Sequence, residues 1–473
     1  MPTTGKLYLG STLISGGGEA EAWVRNPDWI AMPTLTAGVD EKVYGIIAVG
    51  TGNSNFVSFE FEGAYNVDWG DGNSEDVANS VDAQHNFDYA DLSSSTEFAL
   101  GSFGDTHRQA LVTITPQAGQ SLTKVNFNKK HTQSGLNDYR TPWLDIAISA
   151  ANCTSLTVGS TSGNLALLER CNVVDVGVLT SASLMFQGCS SLQSVPLFDL
   201  SSATNASYMF RYCSSLQSVP LFDLSSVTDA ANMFQDCSSL QSTPLFDLSS
   251  ATNASIMFQG CSSLQSVPLF DLSSATNASY MFRYCSSLQS VPLFDLSSVT
   301  DASYMFDACS SMQSVPLFDL SSATNTSYMF RKCSSMQSTP LFDLSSATDA
   351  SSMFDVCSSL QSVPLFDLSS ATTTAYMFRY CYALQSVPLF DLSSATTTTS
   401  MFQSCDSLQS GATTGLTVSL SYDDLKLSAV EIDRIFTNLG TASGTQTITV
   451  TNNWGSATCD PTIATAKGWT VAN

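Results

Sequence analysis

The sequence predicts an α/β solenoid, a right-handed coil of 24-residue repeats with caps, preceded by an all-β sandwich. Three observations predict it. A unit reading Met-Phe-x-x-Cys-Ser-Ser-Leu-Gln-Ser-Val-Pro-Leu-Phe-Asp-Leu-Ser-Ser-Ala-Thr and four variable residues recurs in ten near-copies from Met185, its cysteines falling every 24 residues from Cys189 to Cys405. A fixed period of about 20 to 50 residues marks a solenoid, because one unit cannot bury its own apolar face and must stack on its neighbours. Ahead of the array, residues 43–130 alternate in the manner of strands; behind it, after Gly411, the text turns to a non-repeating helix and strand pattern.

Composition narrows the function classes. Only 12% of the 473 residues are charged, yet 41 acidic against 17 basic residues leave a net charge of -24. Such a surface repels polyanions, so nucleic-acid binding through phosphate contacts is not expected. No run approaches the roughly 18 apolar residues of a membrane span, so no membrane insertion is expected either. The opening Met-Pro-Thr-Thr-Gly-Lys-Leu-Tyr-Leu-Gly lacks the charged leader and apolar core of a secretory signal. The expectation is a chain that, if it reaches a surface, does so as a mature form that has lost its signal or as part of something larger.

Residues 1–40 carry Gly16, Gly17 and Gly18, then Trp23, Pro27, Trp29 and Pro33. They read as an attachment arm that docks on something, or as a flexible leader to the next domain. Residues 41–135 hold the strand runs, separated by turn signals such as Gly70-Asp71-Gly72 and Asp105. Asp68, Asp71, Glu75 and Asp76 do not follow the spacing of a calcium loop and read as turn carboxylates accepting backbone N–H bonds. His85, His107 and His131 are the only histidines, and no Ser-His-Asp or Cys-His grouping can be assembled around them. Residues 136–184 already carry the repeat phase, Cys153-Thr-Ser-Leu156 echoing Cys189-Ser-Ser-Leu192, and read as an N-terminal cap.

Within each coil of the array, residues 185–410, Leu192-x-x-Val195-Pro-Leu197 fits a short strand, and the stretch from Thr204 through Met209-Phe210 to Cys213 fits about two helical or 3₁₀ turns. The inward positions of the second coil are Leu192, Val195, Leu197, Phe198, Leu200, Ala203, Met209, Phe210 and Cys213. Ten of the thirteen cysteines are one repeat position, and C-x-x-C appears nowhere, so they read chiefly as buried free thiols. The aspartate column, Asp199 to Asp391 every 24 residues, must be satisfied by hydrogen bonds within its turns or by bound cations.

Variation concentrates before Met and after Phe, on the side read as helical. Tyr208, Arg211, Tyr212, Asn232, Gln235, Tyr280, Arg283, Tyr284, Tyr304, Tyr328, Arg331, Lys332, Tyr376, Arg379 and Tyr380 form the candidate binding face, because Tyr and Arg are enriched at contact hot spots. The alternative is free drift on a solvated flank. Sequons such as Asn205-Ala-Ser207 read as by-products of the repeat. Residues 411–473 form the C-terminal cap: an amphipathic helix over 427–439, a strand over 445–451, then a helix and a last strand.

Strand plus short helix per coil is leucine-rich-repeat geometry, and Met-Phe-x-x-Cys-x-x-Leu with a following Asp-Leu-Ser resembles the BspA-like leucine-rich repeats of bacterial surface proteins and bacteriophage tail proteins. Val67-Asp68-Trp69-Gly70-Asp71-Gly72, with His85-Asn86-Phe87, resembles the signatures of the PKD-like β-sandwich. The Lys6-Leu-Tyr-Leu-Gly-Ser11 opening is similar to the front ends of phage tail-fibre and other virion appendage proteins. These resemblances imply a non-enzymatic virion structural protein without cofactors, a tail fibre or host-recognition component. Its implied partners are other virion proteins, met through the N-terminal region, and a host-surface glycan or protein, with the chain itself a homo-oligomer. A bacterial cell-surface adhesin, or a capsid or tail decoration that binds nothing, is the alternative.

Overall fold

Strand alternation in the first third builds two sheets that close on one aromatic core. The computed structural model describes residues 25–52, 55–99, 106–132, 141–159 and 165–473; Gly16, Gly17, Gly18, Trp23 and Asp105, singled out above, lie outside them. The larger sheet runs in the order β11 (Arg170–Val176), β9 (Trp143–Ala150), β1 (Lys42–Gly50), β7 (Thr106–Pro116), β3 (Tyr65–Asp68) and β4 (Ser74–Val77), with β6 (Phe98–Ala99) on β7. The smaller sheet runs β10 (Ser155–Thr157), β8 (Lys124–Asn126), β2 (Phe56–Glu62), β5 (Asp82–Asn86). Between them Phe59 meets Trp69 at 5.6 Å, Phe61 meets Phe127 at 5.4 Å, and Phe127 meets Trp143 edge-on at 5.3 Å between ring centroids.

The described part of the arm packs on the outer side of the larger sheet. Trp29 is buried with Ile46, Ala48, Phe98 and Leu144. The Ile30 amide donates to Gln109 Oε1 at 2.7 Å, and Gln109 Nε2 returns a bond to the Asp28 carbonyl at 2.8 Å. Arg25 reaches the buried Asp145 at 3.4 Å; burial pushes that carboxyl up, and Arg170 and Arg25 oppose the shift.

In the Val67–Gly72 motif, Asp68 and Asp71 each accept an amide two residues on, from Gly70 and Asn73, both at 3.0 Å. His85 stacks on Trp69 at 4.8 Å and meets Asp71 at 2.7 Å. Burial alone would raise the Asp71 carboxyl; the Asn73 amide and His85 outweigh it and hold it below the usual range. Gly70 sits at φ +77°, where a Cβ would stand 2.5 Å from the Leu111 carbonyl oxygen.

The solenoid grows straight out of these sheets. β9 and β10, from the segment read as the cap, pair with β1 and β8, and β11 continues in parallel to the array through a bridge between Arg170 and Ser194. One continuous apolar core runs from the sandwich through the array to Trp469. About thirteen turns follow one another. Inside, side chains recurring every 24 residues stand in columns: Phe210, Phe234, Phe258 and Phe282 stack at 5.4–5.6 Å with planes within 7°. The thiols close this ladder, each Sγ–H donating to the phenylalanine carbonyl 27 residues earlier, as from Cys213 to Phe186 at 3.1 Å and from Cys309 to Phe282 at 3.0 Å. All thirteen cysteines are free.

The helix expected in each coil is not there, and the α/β class is corrected: the protein is almost all β, a β-solenoid. Among the described residues α-helix is confined to α1 (Ala429–Asn438) and the four-residue α2 (Thr462–Thr465), both in the C-terminal cap. The stretch from Thr204 to Cys213 is instead a flat layer of turns. Its amides alternate: Met209, Arg211 and Cys213 donate to the residue three before, whereas Ala206, Tyr208, Phe210 and Tyr212 donate at 2.8–3.0 Å to carbonyls of the next coil. Two residues per coil, such as Tyr208 and Tyr212, adopt φ near +60°, which breaks any helix every fourth residue. The physical reason is room. Packed helices need about 8–10 Å between axes; here Tyr280 and Tyr304 of successive coils stack 4.5 Å apart. The strand expected over Leu192–Leu197 is likewise reduced to isolated bridges, such as Ser362 to Ser386, while the regular column of bridges runs at Asn205, Asp229 and Asn253.

Leu197, read as an inward residue, points out. In seven coils, from Phe222 to Phe366, the phenylalanine amide donates to the proline carbonyl two residues before at 3.0–3.1 Å, a three-residue turn with leucine at its apex. The phenylalanine beside it takes the interior. The aspartates alternate outward too, and their turns satisfy them: Asp223 Oδ1 accepts the Ser225 amide at 3.1 Å and its hydroxyl at 2.6 Å.

In the C-terminal cap Ser428 caps α1 by accepting the Glu431 amide. The parallel strands β14 (Leu420–Ser421), β15 (Thr447–Thr449) and β16 (Thr470–Ala472) continue the coil, after the short pair β12 (Phe390–Asp391) and β13 (Thr413–Thr414). Trp469, almost fully buried, donates from Nε1 to the Gly440 carbonyl at 2.8 Å and closes the end.

Candidate functional site

Stacking in register turns each variable position into a column, and three columns lie side by side on the turn layer. The residue before Met runs Tyr208, Asn232, Ile256, Tyr280, Tyr304, Tyr328, Ser352, Tyr376; the residue before Cys runs Tyr212, Asp236, Gly260, Tyr284, Ala308, Lys332, Val356, Tyr380. Every one of these has positive φ. Glycine needs no side-chain tolerance for that conformation, yet most positions are not glycine.

The residue between, directly after Phe in sequence, runs Arg211, Gln235, Gln259, Arg283, Asp307, Arg331, Asp355, Arg379. From Arg283 onward the charges alternate from coil to coil. Asp307, fully buried, accepts Arg283 Nε at 2.9 Å from one side and a bidentate fork from Arg331 at 2.8 Å from the other. Asp355 takes Arg379 in the same bidentate way at 2.7 and 2.9 Å. Hydrogen bonding to these carboxylates holds the Arg331 and Arg379 guanidinium groups above their ordinary range. Charge-assisted forks of this kind fix a side chain's direction as well as its energy.

The fixed guanidinium groups lie over the tyrosines. Arg283 sits 4.4 Å from the Tyr284 ring centroid and 5.3 and 5.4 Å from those of Tyr280 and Tyr304. Arg331 lies 5.5 and 5.0 Å from Tyr304 and Tyr328, and Arg379 4.5 and 5.2 Å from Tyr376 and Tyr380. Tyr280, Tyr304 and Tyr328 form a continuous stack at 4.5 and 4.4 Å with planes within 7°. Partial burial, and then the neighbouring rings, push the Tyr304 phenol up to about 12. The three stacked rings with Arg283 and Arg331 therefore make one rigid amphipathic strip about three coils long, and Arg379 with Tyr376 and Tyr380 makes a separate patch two coils on.

The remaining candidates divide. Arg211 repeats the motif at the first coils, 4.3 Å from the Tyr212 centroid with Nη2 donating to its hydroxyl at 2.7 Å. Lys332 is exposed beside the central strip. Asn232 and Gln235 are 6% and 7% exposed and bond to one another at 2.8 Å, so they offer little to a ligand. Sequence reasoning missed Asp307 and Asp355 as the groups that lock the strip. The signal was present as Arg, Asp, Arg, Asp, Arg at 24-residue spacing from Arg283 to Arg379.

Among the described residues no group of three His, Cys, Asp or Glu side chains is placed to hold a metal, and no helix is long and apolar enough to cross a membrane.

Three overlapping segments, residues 180–290, 238–341 and 313–414, match the family model described as Mycoplasma protein of unknown function, DUF285. No curated protein matches the chain. The matches run unbroken across the columns just described, from the coil before Cys189 to the end of the array. The repeat region of this chain belongs to the DUF285 family of BspA-like repeats.

Proposed function

We propose that this chain is a non-enzymatic display protein, a virion appendage of tail-fibre type, whose solenoid presents the Tyr/Arg strip to a glycan or protein on a host surface. One observation carries the reading. The arginines over Tyr280, Tyr304 and Tyr328 are locked by Asp307 rather than left to solvent, which is unnecessary for a solvated flank and useful for a preorganised binding surface. Stacked aromatic faces flanked by fixed guanidinium donors suit the apolar faces and hydroxyl rims of sugar rings. The sandwich, with its Val67–Gly72 turn, Trp69 and His85, is read as PKD-like and as the attachment end toward other virion proteins.

A second reading, a bacterial cell-surface adhesin, is favoured by the family match to Mycoplasma proteins. It uses the same strip.

The test is binding of the full chain to whole bacterial cells and to a panel of immobilised surface glycans, beside the Tyr280→Ser, Tyr304→Ser, Tyr328→Ser triple variant. Loss of at least tenfold in affinity with unchanged circular dichroism supports recognition by the strip. Equal binding by the variant, or no binding by the native chain to any cell or glycan, overturns it in favour of a spacer.

A further inference from the structure

Each coil also carries an exposed residue that the recognition strip does not use, and stacking turns it into a row. Leu197, Leu221, Leu245 and so on every 24 residues to Leu389 are nine leucines at the apices of their turns, most of them 57–62% exposed. Shallow grooves lie between successive members, as between Leu245 and Leu269, floored by Phe246 and edged by Asp247 and Asp271. At roughly 100 Å² of exposed surface each the row presents on the order of 900 Å², where the largest apolar patch on a typical monomer is about 300–600 Å². A standard interface takes about 800 Å² from each partner. The row and the columns flanking it are of that size.

We propose that the leucine row is the interface of a parallel, in-register dimer of this chain. Period selects the partner: a ladder of knobs spaced one coil apart is matched along its whole length, leucine against leucine, by a ladder of the same spacing, and a second copy supplies one. Charge selects the direction. Asp199, Asp223 and their successors form an exposed column two residues from the leucines, always on the same flank. A two-fold axis across the rows would make an antiparallel pair and lay the two aspartate columns against each other. A two-fold axis along the rows sends them to opposite flanks, where each faces the Gln193, Ser194 and Pro196 columns of the other copy. Like charges directly opposed are destabilising, so the parallel pair is the one the surface permits. Both sandwiches then lie at one end. The inference does not depend on what the recognition strip binds.

Two experiments on the full chain test it together. Sedimentation velocity from about 1 to 100 μM is expected to give a dimer, and the Leu245→Ser, Leu269→Ser, Leu293→Ser, Leu317→Ser variant is expected to weaken it at least a hundredfold. A monomer across the whole range, or a dimer unchanged in the variant, overturns the proposal. Direction is read by oxidative cross-linking of single cysteines in a Cys459→Ser background. Leu221→Cys, near one end of the row, is expected to cross-link to itself as efficiently as Leu293→Cys at its centre. Cross-linking at the centre without cross-linking at the end means an antiparallel pair and refutes the parallel one. Because this second readout uses an otherwise intact row, it stands even if the quadruple variant fails to fold.

Discussion

Replacing Asp307 by Asn should open the middle of the solenoid without touching its ends. Asp307 is fully buried and takes three charge-assisted bonds of 2.8–2.9 Å, from Arg283 on one coil and Arg331 on the other. Bonds to charged groups contribute about 1.5–3 kcal/mol each, and removing one partner from a buried pair costs about 3–5 kcal/mol when the other charge stays buried. Here the two guanidinium groups keep 22% and 19% of their side-chain exposure and can turn to water, which discounts both figures. A local cost of about 2–3 kcal/mol remains, or roughly 30- to 150-fold in the population of the open state. Coils contact only their neighbours, so the loss should be confined to about two coils on either side. Amide hydrogen exchange reads it directly at Tyr284, Ala308 and Lys332, whose N–H groups donate to carbonyls of Asp307, Arg331 and Asp355 at 2.7–2.8 Å. Asp355→Asn, which frees one arginine, should cost about half as much at its own coils. Protection at the three amides changed by less than threefold in Asp307→Asn would refute the reasoning that the ion triad fastens these coils.

Three further outcomes follow from the same geometry. Val356 is β-branched at φ +64°, in the column where Gly260 sits, so Val356→Gly should relieve about 1–2 kcal/mol of strain against about 0.5–1 of backbone entropy and raise the thermal midpoint slightly; a lowered midpoint would contradict the assigned turn conformation. Twelve cysteines are buried, and burial holds their thiols above the usual range, Cys153 at about 11, so a thiol reagent at neutral pH should titrate about one group, the half-buried Cys459, before unfolding and thirteen after. Several fast-reacting thiols in the native protein would mean the columns are open. Acid should loosen the chain: serine hydroxyl and amide bonds hold Asp247, Asp295, Asp319 and Asp367 below the usual carboxylate range, and hydrogen bonds from Lys129 and then Lys124 hold Glu60 at about 2. Depressed carboxylates contribute stability that is complete above about pH 5 and is lost as the pH falls toward 2. Circular dichroism followed from pH 7 to 2 should therefore be flat to about pH 5 and decline below it; a loss beginning near pH 6 would point to other groups.

What the sequence disclosed and what it hid separate along one physical line. Everything dictated by recurrence was legible, the columns of Phe210, Met209 and Cys213 above all, and outside the repeats so were the helix expected over 427–439 and the turn carboxylates Asp68 and Asp71. Backbone state within a coil was not, because Thr-x-x-x-x-Met-Phe-x-x-Cys carries apolar residues at helical spacing although the chain alternates between turn bonds and coil-to-coil bonds there. Spacing between coils, not propensity along them, decided the matter, and no single unit of sequence states that spacing. Leu197 was misplaced for a related reason: Leu-Phe reads as two core residues until a three-residue turn forces them to opposite sides. The strip was half visible, its tyrosines and arginines as composition, its Asp307 lock only as an alternation across coils.

Excision tests the account most directly. Deleting residues 258–281, one full period, joins Met257 to Phe282 and leaves every column intact; deleting residues 258–269 joins Met257 to Phe270 and throws all later side chains half a turn out of phase. Thermal unfolding followed by circular dichroism should find the 24-residue deletion folded and cooperative within a few degrees of the parent, and the 12-residue deletion unfolded or melting far lower. Equal damage from both deletions would contradict a solenoid whose coils are interchangeable copies held in register.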